Sequence, residues 1–295
     1  MFRFAFALSL ASLVTACAVD TSTIDEDLDN STDTGGGEPH DAKVVHVRGN
    51  AGHGGASSPD LIYHGGPVNT GTTAIQAIFW GPSWATSPGD KISGMDSFYG
   101  GISNTAYLGT NTEYTNSSGT HVSRTVSYGG HVVDTSTAPK SGGRTSVILA
   151  EVCKMISNPV AGGYYPVYTD SPRGHSGYCA WHSSGTCNGV TVQFGFFYKL
   201  DGDGGCDPGD PGNTHSQGLE AIANVSGHEL SETVTDPQLN AWYDSSGAEN
   251  ADKCAWTFNG YSNFGGGNWQ IQGNYSNAAA ANHSGYDGAG CINGN

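Results

Sequence analysis

One long helix, from Gln217 to Thr235 and stopped by Pro237, is the element that the rest of this chain must be arranged around. Within it runs Gly227-His228-Glu229-Leu230-Ser231-Glu232-Thr233-Val234-Thr235, followed by Asp236. On a helix, His228 and Glu232 stand one turn apart on the same face. A zinc-hydrolase helix presents two metal ligands in this way, with the intervening Glu229 free to act as a base. The motif is HExxE: the second ligand position holds Glu232 where the usual pattern has histidine.

The chain has 295 residues, 45 of them glycine, with 36% apolar and 13% charged. This is the composition of a loop-rich exported protein long enough to build a core. It has no apolar run of the roughly 20 residues a membrane span requires. Residues 1–16 read as a signal peptide: Arg3 supplies the positive charge, Phe4 to Val14 are apolar or small, and Val14-Thr15-Ala16 is a small-residue cleavage site. Cys17 follows at once, so Val14-Thr15-Ala16-Cys17 resembles a bacterial lipoprotein box and predicts lipidation at Cys17. Setting Cys17 aside leaves Cys153, Cys179, Cys187, Cys206, Cys254 and Cys291, an even number suited to an oxidising compartment. Cys179 and Cys187 are close enough for a local loop, Cys254 with Cys291 would tie down the C-terminal segment, and Cys153 with Cys206 is left by elimination.

The net charge of −16 is unevenly spread. Residues 18–41 hold eight acids and no Lys or Arg, and residues 42–295 carry a net of −9. Nucleic acid is an unsuitable partner for such a surface. Residues 17–60 are polar, acidic and poor in large apolar groups, and are expected to be a disordered tether. The domain is expected to occupy 61–295.

Within it, Thr73 to Trp80 predicts a buried strand and Pro88 to Ile102 a helix weakened by Gly89 and Gly94. His121 to Val133 predicts strands, Ser146 to Ile156 an amphipathic helix, and Tyr164 to Thr169 and Val190 to Tyr198 further strands. The expected fold is α+β: a single mixed-sheet domain with a zincin-like active-site helix and a loop-rich C-terminal part.

Three stretches resemble the EXORDIUM, or phosphate-induced protein 1, family. They are Tyr63-His64-Gly65-Gly66-Pro67-Val68 with the strand ending Phe79-Trp80-Gly81; Glu232 to Pro237 with Leu239-Asn240-Ala241-Trp242-Tyr243; and Glu249-Asn250-Ala251-Asp252-Lys253-Cys254. The family is best known from plants, as secreted, wall-associated proteins linked to cell expansion, with no enzymatic activity attached to it. Plant members often lack the His-Glu pair that stands here, and the lipoprotein-like signal points to a bacterial member. Locally, His228 to Asp236 with Ser246 to Asp252 looks like the active-site region of thermolysin-type zinc metallopeptidases. That resemblance implies a third, acidic ligand, here Glu249 or Asp252, with the other orienting a ligand. Asp236, one turn beyond Glu232, is expected in the second shell, partnering His228 or nearby backbone.

One histidine and two carboxylates suit zinc. The added negative charge makes the ion a weaker Lewis acid and lets calcium or manganese compete. A second acidic run, Asp201-Gly202-Asp203-Gly204-Gly205 with Asp207 and Asp210, resembles a calcium loop but is not an EF-hand, since Cys206 and Gly212 stand at the positions that need Gly and Glu. Gly174-His175-Ser176-Gly177 reads as a turn, and His64 as a structural histidine. Trp256, Tyr261, Phe264, Trp269 and Tyr275 offer faces for sugar stacking, although packing is their commoner use. The leading expectation is a secreted or envelope-anchored monomeric zinc hydrolase acting on peptide bonds, with peptide or a cell-envelope polymer as substrate and membrane contact only through the lipid. The alternative is a non-catalytic surface protein with a structural metal or none, binding carbohydrate or protein.

Overall fold

The computed structural model describes residues 39, 41–49, 59–212 and 214–295. The expected signal peptide, Cys17 and most of the expected tether lie outside the described residues. The centre is a six-stranded mixed sheet in the order Lys43–His46, Tyr178–Cys187, Val190–Lys199, Tyr164–Pro172, Thr73–Trp80, Val126–Asp134. The last four run parallel to one another, and the first two continue the sheet antiparallel. Val190–Lys199 and Tyr164–Pro172 are buried along most of their length, as expected of strands covered on both faces. The architecture is α+β with one mixed sheet.

Strand alternation decides which side chains face the functional helix. Trp181 stacks on Phe196, whose ring lies beside Ile148 of the helix Thr145–Met155. Phe197 stacks on Tyr168, whose hydroxyl meets Ser226 Oγ of the helix Gln217–Thr235 at 2.7 Å. His182 is next to Trp181 and opposite Gly195, so it takes the same face as Phe197, toward Gln217–Thr235.

The helix Gln217–Thr235 has the bounds expected. Ser216 caps its first turn by accepting the Leu219 N–H, and every residue from Gly218 to Thr235 is buried. It packs on the strands Tyr178–Cys187 and Val190–Lys199 and against the helix Lys91–Gly101. Gly94 is what permits that last contact, because a Cβ there would stand 2.3 Å from Leu219 Cδ2. The expected helix 88–102 is thus Lys91–Gly101, and the strands expected over 121–133 are one strand, Val126–Asp134. The C-terminal part is loop-rich, with two short ladders, Ser262–Phe264 on Gly267–Trp269 and Asn274–Tyr275 on Cys291–Ile292.

Two expectations are corrected. The tether does not extend to residue 60: Lys43–His46 pairs with Tyr178–Cys187, buries Val45 completely, and is held by Trp256 Nε1 donating to His46 O at 2.9 Å. The outer edge of Tyr178–Cys187 offers unpaired backbone groups, and the apolar pair Val44-Val45 fits that edge. The disulfides are Cys153–Cys187, Cys179–Cys206 and Cys254–Cys291, so only the last pairing is as expected. Cys179 and Cys187 lie on one extended strand, eight residues and therefore about 26 Å apart, far beyond the reach of a disulfide.

Candidate metal centre

The helix brings His228 and Glu232 together as its period demands: His228 Nε2 is 2.9 Å from Glu232 Oε1. Beyond the helix the chain turns back and delivers the two acids that the sequence left as alternatives. Asp252 opens a short 3₁₀ turn, Asp252–Cys254, and places Oδ1 at 3.4 Å from His228 Nε2. Its backbone N–H donates to Glu232 Oε1 at 3.1 Å, while its Oδ2 accepts the Glu249 N–H at 3.0 Å. Glu249 points elsewhere, to His182, with Oε2 at 2.9 Å from Nε2. Both acids are therefore used, each by a different imidazole.

His182 was not among the residues expected. Its Nε2 also lies 3.4 Å from Glu232 Oε2, so Glu232 offers one oxygen to each histidine. Two overlapping groups result in which ligand atoms lie within 4.8 Å of one another: His228, Glu232 and Asp252; and His182, Glu229 and Glu232. These groups have the donor types and spacing to hold a metal ion. A sequence signal for His182 was present. Asn188-Gly189 precedes the strand at Val190, and both residues have positive φ (52° and 79°). An Asn-Gly pair before a strand marks a two-residue hairpin and so a partner strand upstream, here the one bearing His182.

All these side chains are buried, with only Asp252 reaching solvent, its side chain 21% exposed. Burial alone would lower both imidazoles. The Glu249 charge beside His182 and the Glu232 charge beside His228 outweigh it, holding both rings well above the usual histidine range. Burial would raise Glu232, yet the two imidazoles pull it well below the usual carboxylate range. Glu229 and Glu249 go the other way, pushed well up by burial despite the His182 charge. Both Glu229 oxygens, Glu249 Oε1 and His182 Nδ1 are buried without a hydrogen-bond partner. Unsatisfied buried polar atoms are destabilising by about 1–3 kcal/mol each, and a bound cation is what would satisfy the carboxylate oxygens. The donor set thus fits a divalent metal.

The surrounding contacts orient the ligands. Gln272 Nε2 contacts His228 Nδ1 at 2.7 Å and also donates to Ala251 O at 2.9 Å, while its Oε1 accepts the Trp256 N–H at 3.2 Å. A ring protonated, or holding metal through Nε2, carries a hydrogen on Nδ1 and needs the amide oxygen instead. That half-turn of Gln272 disturbs two bonds, about 1–3 kcal/mol each, against the roughly 10–16 kcal/mol of a structural zinc site. Asp236 is not the partner of His228: it accepts the N–H groups of Asn240 and Ala241 at 2.6 and 2.7 Å and shapes the turn after the helix.

The other sequence candidates take structural roles. In the acidic run, Asp201 pairs with Lys91 at 2.7 Å and Asp203 with Arg173 at 2.7 Å, while Asp210 meets Tyr261, so the carboxylates diverge instead of enclosing calcium. Ser176 bonds Tyr198 Oη, and His64 stacks on Tyr243. Trp256, Phe264, Trp269 and Tyr275 are buried, which leaves no sugar platform among these four. No family model, curated protein or solved structure matches the chain.

Proposed function

We propose that this chain is an exported, EXORDIUM-like metal-dependent hydrolase, taking zinc and cleaving peptide bonds through its HExxE helix. The observation that carries this reading is Glu229, a buried carboxyl with no partner for either oxygen, one residue from a ligand and beside the ligand cluster. A solvated surface helix, or a network built only for stability, has no use for such a group. His228, Glu232 and Asp252 would hold the cation. When bound, zinc would polarise a scissile carbonyl and make water easier to ionise. Glu229 would take the proton from the attacking water and pass it to the leaving amine, and its raised proton affinity suits that shuttle. Three disulfides accord with an oxidising compartment, and the Cys17 signal would anchor the protein in the cell envelope.

The test is Glu229→Gln, which removes the base and no ligand of this cation. Purified protein is expected to contain metal, and chelation to stop its cleavage of a peptide panel. The variant is expected to keep the metal and lose about 10²–10⁴-fold in rate. An unchanged rate in the variant would sink the assignment.

A second reading is favoured by the burial of five of the six side chains. In it, the protein is a non-catalytic envelope protein binding carbohydrate or protein, and the cluster is a structural metal site or a metal-free ion-pair network. It predicts no hydrolysis by wild type under any metal loading.

A further inference from the structure

We infer that the centre holds two divalent cations, bridged by Glu232, with His182 and Glu249 forming the second site. This extends the metal reading above and rests on it.

The two halves of the cluster repeat one geometry. His228 Nε2 lies 2.9 Å from Glu232 Oε1 and 3.4 Å from Asp252 Oδ1. His182 Nε2 lies 2.9 Å from Glu249 Oε2 and 3.4 Å from Glu232 Oε2. Each imidazole thus meets one carboxylate of its own and the shared Glu232, which offers one oxygen to each side. A carboxylate so placed is a natural bridge between cations about 3.5–4 Å apart, the spacing of two-metal hydrolases. One tetrahedral zinc takes four ligands, whereas two imidazoles and four carboxyl groups converge here.

Charge accommodates the same arrangement. Glu229, Glu232, Glu249 and Asp252 carry four negative charges when ionised. Two divalent cations bring the four to neutrality, whereas one cation does so only if two of the carboxyl groups stay protonated. Buried atoms without a hydrogen-bond partner occur on both sides, His228 Nε2 on one and Glu249 Oε1 with both Glu229 oxygens on the other, and the unpartnered carboxylate oxygens other than Glu232 Oε2 are those near His182. Glu229 groups with His182 and Glu232, and not with His228 and Asp252. The general base therefore faces the second cation, which accounts for a buried carboxyl that is not a ligand of the first.

The experiment uses the full exported domain, prepared without chelator and loaded with zinc or manganese. Native mass spectrometry gives the number of cations per chain, and the electron paramagnetic resonance of the manganese form reports whether they are coupled. Wild type is expected to hold two cations with a spin-coupled manganese signal. His182→Asn and His228→Asn are each expected to hold one, uncoupled. If either variant fails to fold, wild-type stoichiometry and coupling still decide. One cation in wild type that survives His182→Asn but not His228→Asn overturns the second site and leaves the single-metal hydrolase standing. One cation lost in either variant means both imidazoles share it, and also overturns the pair. Two cations that both persist in His182→Asn place the second elsewhere and overturn the assignment. No bound cation at all removes both this inference and the metal reading beneath it.

Discussion

Glu220 is a buried acid outside the cluster of the two imidazoles. It is 1% exposed, and burial first, then the charges of Asp210 and Asp90, push its pKa from 4.5 up to about 7 against the opposing N–H of Gln270. His215 Nε2 lies 3.8 Å from Glu220 Oε1. Glu232 is as deeply buried and titrates in the opposite direction, because two imidazoles face it. The raised Glu220 has a signed consequence. Between the unfolded value of 4.5 and the folded value of about 7, the unfolded chain has released this proton and the folded chain has not. Stability contributed by this group is therefore full below 4.5, falls as pH rises through that window, and stays low above it. Glu220→Gln keeps an acceptor for Gln270 and cannot ionise. It is expected to leave stability at pH 4.5 unchanged and to raise it at pH 8 by about 1–3 kcal/mol, read from urea unfolding at the two pH values. Equal effects at both pH values would show that Glu220 titrates normally.

At the scale of elements, what was legible in the sequence depended on contrast. The helix Gln217–Thr235 has a cap at Ser216 and a stop at Pro237, and its ends were readable. The strands Thr73–Trp80 and Val190–Lys199 are apolar along their length and were equally plain. The strand Tyr178–Cys187 was not, because Ser183-Ser184-Gly185-Thr186 reads as a loop and its strand character comes from pairing on both sides. With it went His182, one of the six side chains of the candidate site, and two disulfide pairings. Lys43–His46 was lost for a related reason: four residues in an acidic, polar stretch form a strand only because an edge is waiting for them. That docking is testable. Val45 is fully buried, an apolar contribution of about 1.5–3 kcal/mol, and Val45→Asp replaces it with an unpaired charge. Limited proteolysis of wild type is expected to spare residues 43–46, and the variant to be trimmed to near Pro59. Equal trimming of both proteins would mean that the strand does not dock in solution.

At the scale of the whole molecule, the centre is a clasp as well as a site. Its groups come from four places far apart in the chain: the strand at His182, the helix at His228 to Glu232, the turn at Glu249 to Asp252, and Gln272. The loop-rich C-terminal part has little regular structure of its own. It is held by Cys254–Cys291, by Asn224 and Glu220 accepting the N–H groups of Gln272 and Gln270, and by the carboxylates that meet the two histidines. A cation at the centre therefore joins the sheet, the helix and the C-terminal part, and it binds only when all three are assembled. Its binding energy is folding energy. At a free metal concentration 100 times the dissociation constant, one site adds about 2.7 kcal/mol. For a domain of this size each kcal/mol moves Tm by roughly 2–4 °C. Chelation is thus expected to lower Tm by at least about 5–10 °C, reversibly on returning metal, and His228→Asn, which loses one of the two cations, is expected to shrink the difference. The metal-free ion-pair network makes the opposite forecast. There no bound metal exists to be removed, so Tm with and without chelator coincides. Calorimetry on one preparation, scanned with chelator, without it and after metal is restored, separates the two.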